Sequence, residues 1–392
     1  MCIRDRISSL SARRKTSLLF WVLLSFWTSF LVRTFAWVVL LGRNGVVNQL
    51  LQALGILDAP ANLLYNFGSV LVGMVHALMP LAVLTMLSVM ENIDRNLPRA
   101  ASTLGARPGT AFWKIYFPLS MPGVAAAAIM VFVTAIGFFI TPALLGGRKE
   151  TMITQIIIDQ VQQTMNWEFA GAVSVLLLVV VLAVFALYDK ILGLSTMTGG
   201  SASRPRTSSK PGLMRRAGEA LLDLLASLSD RLFSLLPSRL RRSVSGTGQS
   251  RTLWWIVLAV LAFLSAPAFL MIPLSFDSGS GLTWPPKGFS LQWYEQMFTS
   301  PVWMQAITRS LIVGVGTGLL AMLIGTPAAF LLVRADMRGK SAMLAFVLSP
   351  IVVPRMIIAV GMFYFFARVG LVGSTIGLIL AHTVVAAVSY TH

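Results

Sequence analysis

Cysteine and histidine are almost absent from this 392-residue chain. It contains one cysteine, Cys2, and three histidines, His76, His382 and His392. A single cysteine excludes an internal disulfide and a cluster of thiolate metal ligands. Three histidines so far apart do not make the short-spaced ligand set of a histidine metal site. We therefore expect no metal site, no catalytic residue and no cofactor held by this chain.

Acidic residues are also scarce, and charged residues in general are few. The chain has 14 Asp and Glu against 31 Lys and Arg, which is a formal net charge of +17. Charged residues make up 11% of the chain and hydrophobic residues 56%, with a mean hydropathy of +0.79. Because soluble domains are about 25% charged, this composition excludes a soluble globular protein and a disordered one.

Long apolar runs recur along the chain. Each contains Leu, Val, Ile, Phe and Ala and approaches or exceeds the ~20 residues that a helix needs to cross a bilayer. The predicted spans are 18–41, 67–90, 119–143, 170–189, 253–275, 309–333, 341–366 and 371–388. None leaves a polar face, so each suits lipid or the interior of a bundle. The predicted fold class is an all-α integral membrane protein with about eight transmembrane helices.

The basic residues predict the orientation of these spans. With the N-terminus inside, the internal segments hold 23 Lys and Arg and the external segments hold 5. The internal segments are 1–17, 91–118, 189–252 and 334–340, and the external ones are 42–66, 144–168, 276–308 and 367–370. Since Lys and Arg accumulate on the cytoplasmic side, this bias explains the positive charge without a nucleic-acid partner. We interpret residues 1–17 as a cytoplasmic lead-in, or as a segment foreign to the protein.

A basic segment, residues 190–250, separates two apolar halves, 18–189 and 251–392. Its part 195–212 is rich in Gly, Ser and Pro, as flexible linkers are. Leucines then recur at helical spacing over 214–243. They are Leu221, Leu224, Leu225, Leu228, Leu232 and Leu235. Two interpretations of this amphipathic helix remain open: it lies on the anionic face of the membrane, or it packs on the transmembrane bundle.

The order of features in the two halves predicts a repeated domain. Each half has an arginine in one span and a histidine in the next: Arg33 and His76, then Arg355 and His382. Such side chains at membrane depth can line a pathway. Hydrogen-bonded packing or snorkelling to the interface is the simpler interpretation of each. If the repeat holds, the first half lacks two leading spans and the second lacks a counterpart of residues 91–118, so we expect a longer protein.

The connection between the second and third spans, residues 91–123, predicts two short helices. One covers 96–104, with Pro98 in its first turn and Gly105 as its C-terminal cap. The other covers 109–116. Its apolar face consists of Phe112, Trp113 and Ile115. Two prolines predict the turn back into the membrane, Pro118 and Pro122. On these features alone, a plain connecting loop is an equal alternative.

The spacing within this connection resembles the EAA loop of permease subunits of ATP-binding-cassette importers. That pattern is Glu-Ala-Ala, three residues, Gly, nine residues and Ile-x-Leu-Pro. The matching residues are Ala100, Ala101, Gly105, Ile115 and Pro118. Two positions depart from it, since Arg99 replaces the Glu and Phe117 replaces the Leu. The resemblance implies that this loop, with Arg99 among its contacts, docks its short helix into a groove on a separate ATPase subunit.

Further stretches resemble permeases of the spermidine/putrescine importer group, over most of the chain outside the linker and the termini. They include 26–42, 54–67 and 165–178 in the first half, and 276–298, 309–334 and 338–354 in the second. The resemblance implies two MetI-like helical permease domains in a bacterial plasma membrane. It also implies ABC ATPase subunits that bind the ATP, a periplasmic or extracellular solute-binding protein, and a small solute. A polyamine is the first expectation for that solute, and iron(III) or another small solute is the alternative.

Three rival classes lack the residues that they need. An ATPase needs a P-loop, but Arg334 stands where the string Arg338-Gly339-Lys340-Ser341 would need a glycine. A secondary transporter driven by protons or sodium usually holds a carboxylate inside the membrane. All 14 acidic residues here lie in loops or at the edges of spans. A membrane-embedded enzyme would need a catalytic pair at membrane depth, and no intramembrane acid accompanies His76 or His382.

Overall fold

The computed structural model describes residues 12–94, 96–192, 220, 222–231, 251–279, 281, 284–334, 339–340, 343, 347 and 353–390. These residues form helices and the turns that connect them. The extended pairing found among them is one isolated antiparallel bridge, between Asp277 and Phe289. The predicted all-α class is thus confirmed for the part of the chain that the structure describes.

The first half of the chain contains helices of very different lengths. They are α1 (Ala12–Trp27), α2 (Phe30–Leu41), α3 (Val46–Ala53), α4 (Phe67–Met90), α5 (Asn96–Thr103), α6 (Pro108–Ala111), α7 (Phe117–Ile136), α8 (Ile140–Leu145), α9 (Ile153–Gln162) and α10 (Trp167–Leu192). A π-helical turn, Phe112–Tyr116, joins α6 to α7, and a 3-10 turn, Arg148–Glu150, lies between α8 and α9.

The linker and the second half contribute the remaining helices. They are α11 (222–231), α12 (Arg251–Ser275), α13 (Gln292–Thr299), α14 (Pro301–Arg334), α15 (Arg355–Arg368) and α16 (Thr375–Tyr390). Residues 341–342, 344–346 and 348–352 of the predicted span 341–366 lie outside the described residues, and its described end is α15.

Among the described residues, six stretches of helix are long and apolar enough to cross a membrane. They are Phe30–Ala53, Phe67–Met90, Gly109–Ile136, Trp167–Tyr188, Trp254–Ser275 and Pro301–Leu332. Two other apolar helices are shorter, Thr16–Trp27 and Thr375–Ala386. The chain is therefore a multi-pass helical membrane protein, and its total of eight crossings stays a prediction.

The predicted first span, 18–41, is broken in the structure. Thr28 donates a hydrogen bond from Oγ1 to the carbonyl of Ser25, at 2.7 Å. Ser29 then adopts an extended backbone, with φ −57° and ψ 137°, and α2 begins at Phe30. Short polar side chains that bond to nearby carbonyls compete with helical hydrogen bonding. The continuous apolar run therefore concealed a boundary between two helices.

The predicted third span, 119–143, is wrong at both ends. The helix starts earlier, because α6, the π turn and α7 follow one another without a break from Pro108 to Ile136. It ends earlier too, where Thr154 donates from Oγ1 to the carbonyl of Ile136 at 2.9 Å. The long-range hydrogen bond satisfies a carbonyl that the helix end leaves without a donor. Residues 140–145 then form the separate helix α8.

The chain forms two compact units, each assembled from several stretches. Unit 1 consists of Met1–Thr28, His76–Val131 and Ala186–Ala266. In it, Leu18 of α1 and Val257 of α12 form a buried apolar cluster with Trp254 and Leu261. This contact joins the N-terminal helix to a helix more than 200 residues away along the chain.

Unit 2 consists of Ser29–Val75, Phe132–Phe185 and Pro267–His392. Its helices approach one another at small residues, as membrane helices commonly do. A Cβ atom added to Gly73 of α4 would lie 2.5 Å from side-chain atoms of Thr141 and Leu145 in α8. An added Cβ on Gly316 of α14 would lie 2.8 Å from Ile379 of α16. Unit 2 therefore depends on glycine at two close helix contacts.

Candidate functional site

Helix α5 lies in the connection that resembles the EAA loop; it begins at the predicted residue, Asn96, and ends one residue before the predicted Leu104. Asp94 accepts a hydrogen bond at Oδ1 from the backbone N–H of Asn96, at 2.9 Å. At the other end, Gly105 has φ +88°. The N–H of Gly105 donates to the carbonyl of Ser102 at 3.1 Å, and the N–H of Ala106 donates to the carbonyl of Ala101 at 3.0 Å. These two bonds form a Schellman motif, in which glycine is favoured at the left-handed position.

The second predicted helix of the connection differs from its prediction. The prolines do not mark a turn, because Pro118 and Pro122 both lie inside α7. The π turn ends directly before α7, and the N–H of Phe117 donates to the carbonyl of Phe112. A proline lacks the amide that would bond to the carbonyl one turn earlier, and for Pro118 that carbonyl belongs to the π turn. The wider turn thus lets the helix continue into the membrane.

Aromatic side chains hold the π turn together. Phe112 stacks on Tyr116 at 5.7 Å between ring centroids, and Trp113 contacts Phe117 at 5.0 Å. Phe112, Trp113 and Ile115, the predicted apolar face, are each half-buried, whereas Tyr116 is buried. Tyr116, the most buried of these side chains, was therefore not predicted from the sequence.

The small residues of α5 do not all face the same way. Ala101 is buried, while Ala100 and Gly105 are exposed. An added Cβ on Gly105 would meet no atom within 4 Å. Ala101 is thus small because the chain packs against it, whereas Ala100 and Gly105 remain open to a partner. The side chain of Arg99 lies outside the described residues, although its backbone belongs to α5.

An exposed apolar stripe runs along the open face of α5 and onto Leu104, the residue after it, whose N–H donates to the carbonyl of Ala100 at 3.2 Å and so keeps the helical spacing. Leu104 is 89% exposed and Leu97 is 44% exposed, with the exposed Ala100 between them. Positions i, i+3 and i+7 share one face of a helix, so these three residues form one strip. The helical spacing of the two leucines was present in the sequence, but they were not among the predicted site residues. We call Leu97, Ala100 and Leu104 the α5 stripe.

The linker helix α11 contacts the start of α6. Asp230 accepts two hydrogen bonds, at Oδ1 from the N–H of Gly109 and at Oδ2 from Oγ1 of Thr110, at 2.8 and 2.7 Å. Asp223 forms an ion pair with Lys114 at 2.5 Å. Of the two interpretations of the linker helix, these contacts favour packing on the protein.

The predicted leucine stripe of the linker helix does not make this contact. Leu224 and Leu228 are exposed and Leu225 is half-buried, whereas Ala226 and Asp230 are buried. Three of the predicted leucines, Leu221, Leu232 and Leu235, lie outside the described residues. The buried side of α11 is thus formed by a small residue and an acid, one helical turn apart.

The candidate pathway residues have different surroundings. Arg33 is buried, with its guanidinium 4.5 Å from the ring centroid of Phe30. His76 is also buried, and its Nε2 lies 3.1 Å from the carbonyl oxygen of Leu264. These contacts are consistent with packing.

The corresponding residues of the second half are exposed. His382 places Nδ1 2.9 Å from the carbonyl oxygen of Leu378 in its own helix, and Arg355 is the first residue of α15. The two halves therefore do not place their Arg and His alike, and the pathway role of all four residues stays a prediction.

Comparison with known proteins finds a similarity in the first half of the chain. A family described as binding-protein-dependent transport system inner membrane component matches residues 8–193, which are just under half of the chain. Together with the six candidate spans, this places the chain in a bacterial inner membrane as a multi-pass protein.

Curated relatives are permeases of ABC transport systems. The spermidine/putrescine transport system permease protein PotB of Haemophilus influenzae is 36% identical over 183 residues, which are 46% of this chain and 64% of the relative. PotB of Escherichia coli is 33% identical over 174 residues, which are 44% of this chain and 63% of that protein. FbpB 1 of Haemophilus influenzae, named as a ferric transport system permease, is 26% identical over 147 residues, or 38% of this chain and 23% of that protein. The chain thus spans less than two thirds of the length of the PotB relatives that it matches.

Proposed function

We propose that this chain is the transmembrane permease subunit of an ATP-binding-cassette importer, with the connection 91–118 as its ATPase-docking loop. The observation that carries the proposal is the α5 stripe, an exposed apolar strip on a short helix that ends at the left-handed Gly105. The stripe lies outside the six candidate spans, so a membrane crossing does not account for its exposure, and contiguous exposed apolar surface marks an interaction site. The stripe suits the helix-in-groove mode of recognition, in which an apolar helix face enters an apolar groove.

The proposed roles of the site residues follow from their burial. Ala100 and Gly105 allow the ATPase surface to come close, and Leu97 and Leu104 fill its groove. Ala101, which is buried, and Ile115, which is half-buried, set the position of the stripe from within the chain, whereas Pro118 is exposed at the start of α7. Arg99 stands beside Ala100 in sequence and replaces the acidic residue of the family pattern with a positive charge.

The proposed architecture consists of two MetI-like permease domains, 18–189 and 251–392, joined by the cytoplasmic linker 190–250. Both domains would line one pathway, and ATP would be bound by the partner subunits. Within the six candidate spans, the acidic residue present is Glu168, the second residue of Trp167–Tyr188. An intramembrane carboxylate for ion coupling is therefore not provided by these spans, which favours an ATP-driven importer over a secondary transporter.

The proposed solute is a polyamine, delivered by a periplasmic or extracellular solute-binding protein. The support is the 36% identity to a protein named for spermidine and putrescine transport, against 26% to one named for ferric transport. Iron(III) is thus the second candidate. Asp277, an external acid, is not free for a cationic solute, since its Oδ1 accepts backbone hydrogen bonds from Gly279 and Lys287 at 3.1 Å.

The docking proposal is tested with the full-length protein and its ATPase subunit, purified together from membranes. Leu97→Ser with Leu104→Ser should leave expression and membrane insertion normal and reduce the co-purified ATPase at least about tenfold, because an apolar contact of this size contributes roughly 1.5–3 kcal/mol per leucine. Leu54→Ser is the matched control, since Leu54 is 63% exposed in a predicted external segment. Equal ATPase recovery from the double variant and the control would contradict the docking role of the stripe.

The solute is tested in proteoliposomes that contain the assembled complex and its binding protein. We expect ATP-dependent uptake of labelled putrescine or spermidine, with unlabelled polyamine as competitor and ferric iron without effect. ATP-dependent accumulation of iron with polyamines inert would overturn the polyamine assignment and leave the importer assignment standing.

A further inference from the structure

The helix α11 runs antiparallel to the residues that it contacts. Asp223, near its start, pairs with Lys114, and Asp230, near its end, bonds to Gly109 and Thr110. Asp223 and Asp230 are seven residues apart, so they lie on the same side of a helix. Their partners are four to five residues apart and in reverse order. One side of α11 therefore lies along the α6 and π-turn segment, 108–116.

Gly109 is the point of closest approach. A Cβ atom built on it would lie 2.3 Å from Oγ of Ser229 and 2.5 Å from Oδ1 of Asp230. Contacts below about 3 Å are not adopted by real Cβ atoms, so a larger residue would displace the side chains of Ser229 and Asp230 or the helix that carries them. Glycine at this position thus leaves room for the Asp230 carboxylate to reach the backbone.

Asp230 is placed where a carboxylate has a defined role. The first N–H groups of a helix have no partner within it, and Gly109 is the second residue of the helix that begins at Pro108. The carboxylate accepts one of these N–H groups and is also favoured by the positive end of the helix dipole. Asp230 is 7% exposed, and a buried acid is retained where hydrogen bonds satisfy it. The pair of Asp223 with Lys114 is exposed, and such pairs contribute little.

We propose that α11 is a clamp that positions the docking loop, with Asp230 as its positioning residue. Helix α6, which Asp230 caps, begins three residues after Gly105. Helix α5 packs against the π turn that follows α6, and Ala101 of α5 is buried. Fixing the start of α6 therefore fixes the direction in which the α5 stripe points. The linker between the two halves is thereby part of the docking machinery as well as a tether. Its role in docking rests on the proposed function, whereas the clamp itself does not.

The clamp is tested first without the ATPase, by hydrogen exchange of backbone amides in the full chain reconstituted in lipid. Asp230→Ala should accelerate exchange over residues 96–111 about fivefold, the factor that loss of an N-cap typically produces. Asp230→Asn should stay within about twofold of wild type, because an amide oxygen still accepts from Gly109 and Asn is nearly as good a cap as Asp. Equal exchange in wild type and Asp230→Ala, or equal acceleration by Asn and Ala, would overturn the clamp.

Gly109→Ala provides a second and independent variant. Alanine is a better helix former than glycine, so a purely local effect would slow exchange in α6. The clamp predicts the reverse, faster exchange over 96–111, because the added methyl group displaces α11. Gly314→Ala is the matched control, since an added Cβ on this helical glycine meets nothing within 4 Å. Slower exchange in Gly109→Ala would contradict the proposal.

Recovery of the ATPase with the same variants then separates the clamp from the proposed function. Faster exchange together with reduced ATPase recovery in Asp230→Ala supports the role of the clamp in docking. Faster exchange with unchanged recovery would overturn that role. A wild-type protein that recovers no ATPase would contradict the proposed function, and the exchange data would still decide whether the clamp exists.

Discussion

At the scale of single residues, the proposed docking loop depends on which side chains are left exposed. Ala101 and Tyr116 are buried, whereas Leu97 and Leu104 are exposed and Gly105 has open space where a Cβ would be. Gly105 is therefore needed for its backbone, at φ +88°, and not for close packing within this chain. Among the described residues, no side chain lies close enough for a Cβ on Gly105 to meet it.

Gly105→Val separates the backbone role from the docking role when it is compared with Gly105→Asn. Valine at a left-handed position costs of order 1–2 kcal/mol, whereas asparagine tolerates that conformation. We expect Gly105→Val to insert normally into the membrane but to lose ATPase association and solute uptake. Measured by co-purification and uptake, Gly105→Asn should be intermediate, because it keeps the cap and adds a side chain at the partner surface. Full association and uptake by Gly105→Val would show that the connection is only a loop.

At the scale of helices, close contacts around the short helix α8 hold unit 2 together. Thr34 of α2 and Thr141 of α8 lie 3.2 Å apart between their hydroxyl oxygens, and Phe30 contacts Phe138 at 5.0 Å between ring centroids. Gly73 of α4 approaches the other side of α8. The short helix α8 is thus packed between two candidate membrane spans, even though it is itself only six residues long.

Gly73→Ala should destabilise the protein by about 1–3 kcal/mol, because the added methyl group would lie 2.5 Å from both Thr141 and Leu145. Gly314→Ala, on the open face of α14, should leave stability unchanged or raise it by up to about 1 kcal/mol, because alanine is the better helix former. Thermal unfolding of the two purified variants in detergent, followed by intrinsic fluorescence, provides the comparison. A melting temperature for Gly73→Ala at or above that of Gly314→Ala would show that α4 and α8 are not this close.

At the scale of the whole molecule, the two compact units group alternate connections. Unit 1 contains the predicted internal segments 1–17, 91–118 and 189–252. Unit 2 contains all the predicted external segments, together with the predicted internal segment 334–340. Because 334–340 falls in unit 2, the two units do not separate all internal from all external segments. The orientation inferred from the excess of Lys and Arg stays a prediction.

Single cysteines introduced into a Cys2→Ser background test this orientation in intact cells. Cysteines in 42–66 and 276–308 should react with a membrane-impermeant thiol reagent, because these segments are predicted to be external. Cysteines in the linker 190–250 should react only after the membrane is permeabilised. Labelling of linker cysteines in intact cells would contradict the predicted orientation. The proposed docking loop would then lie on the side of the membrane opposite to the ATPase.

Local properties were predictable from the sequence alone. The membrane class follows from the length of apolar runs, and α4 has the predicted bounds, 67–90, even though Pro80 lies inside it. Helix α5 ends where a glycine can adopt a left-handed conformation. Both features depend on residues within a few turns of one another, so no knowledge of the remaining chain is needed to predict them.

Contacts between distant residues were decided by the tertiary structure. Asp230 bonds to Gly109 across 121 positions, and no local pattern in either segment indicates the other. The same applies to Thr154, which caps the end of α7, and to Ala101, which packing buries while its neighbour Ala100 stays exposed. Helical spacing shows which residues share a face, but only the packing of the other helices determines which face is covered. The sequence by itself therefore determined a helical membrane protein with a capped connecting helix, and the tertiary structure decided which side of that helix is open to a partner.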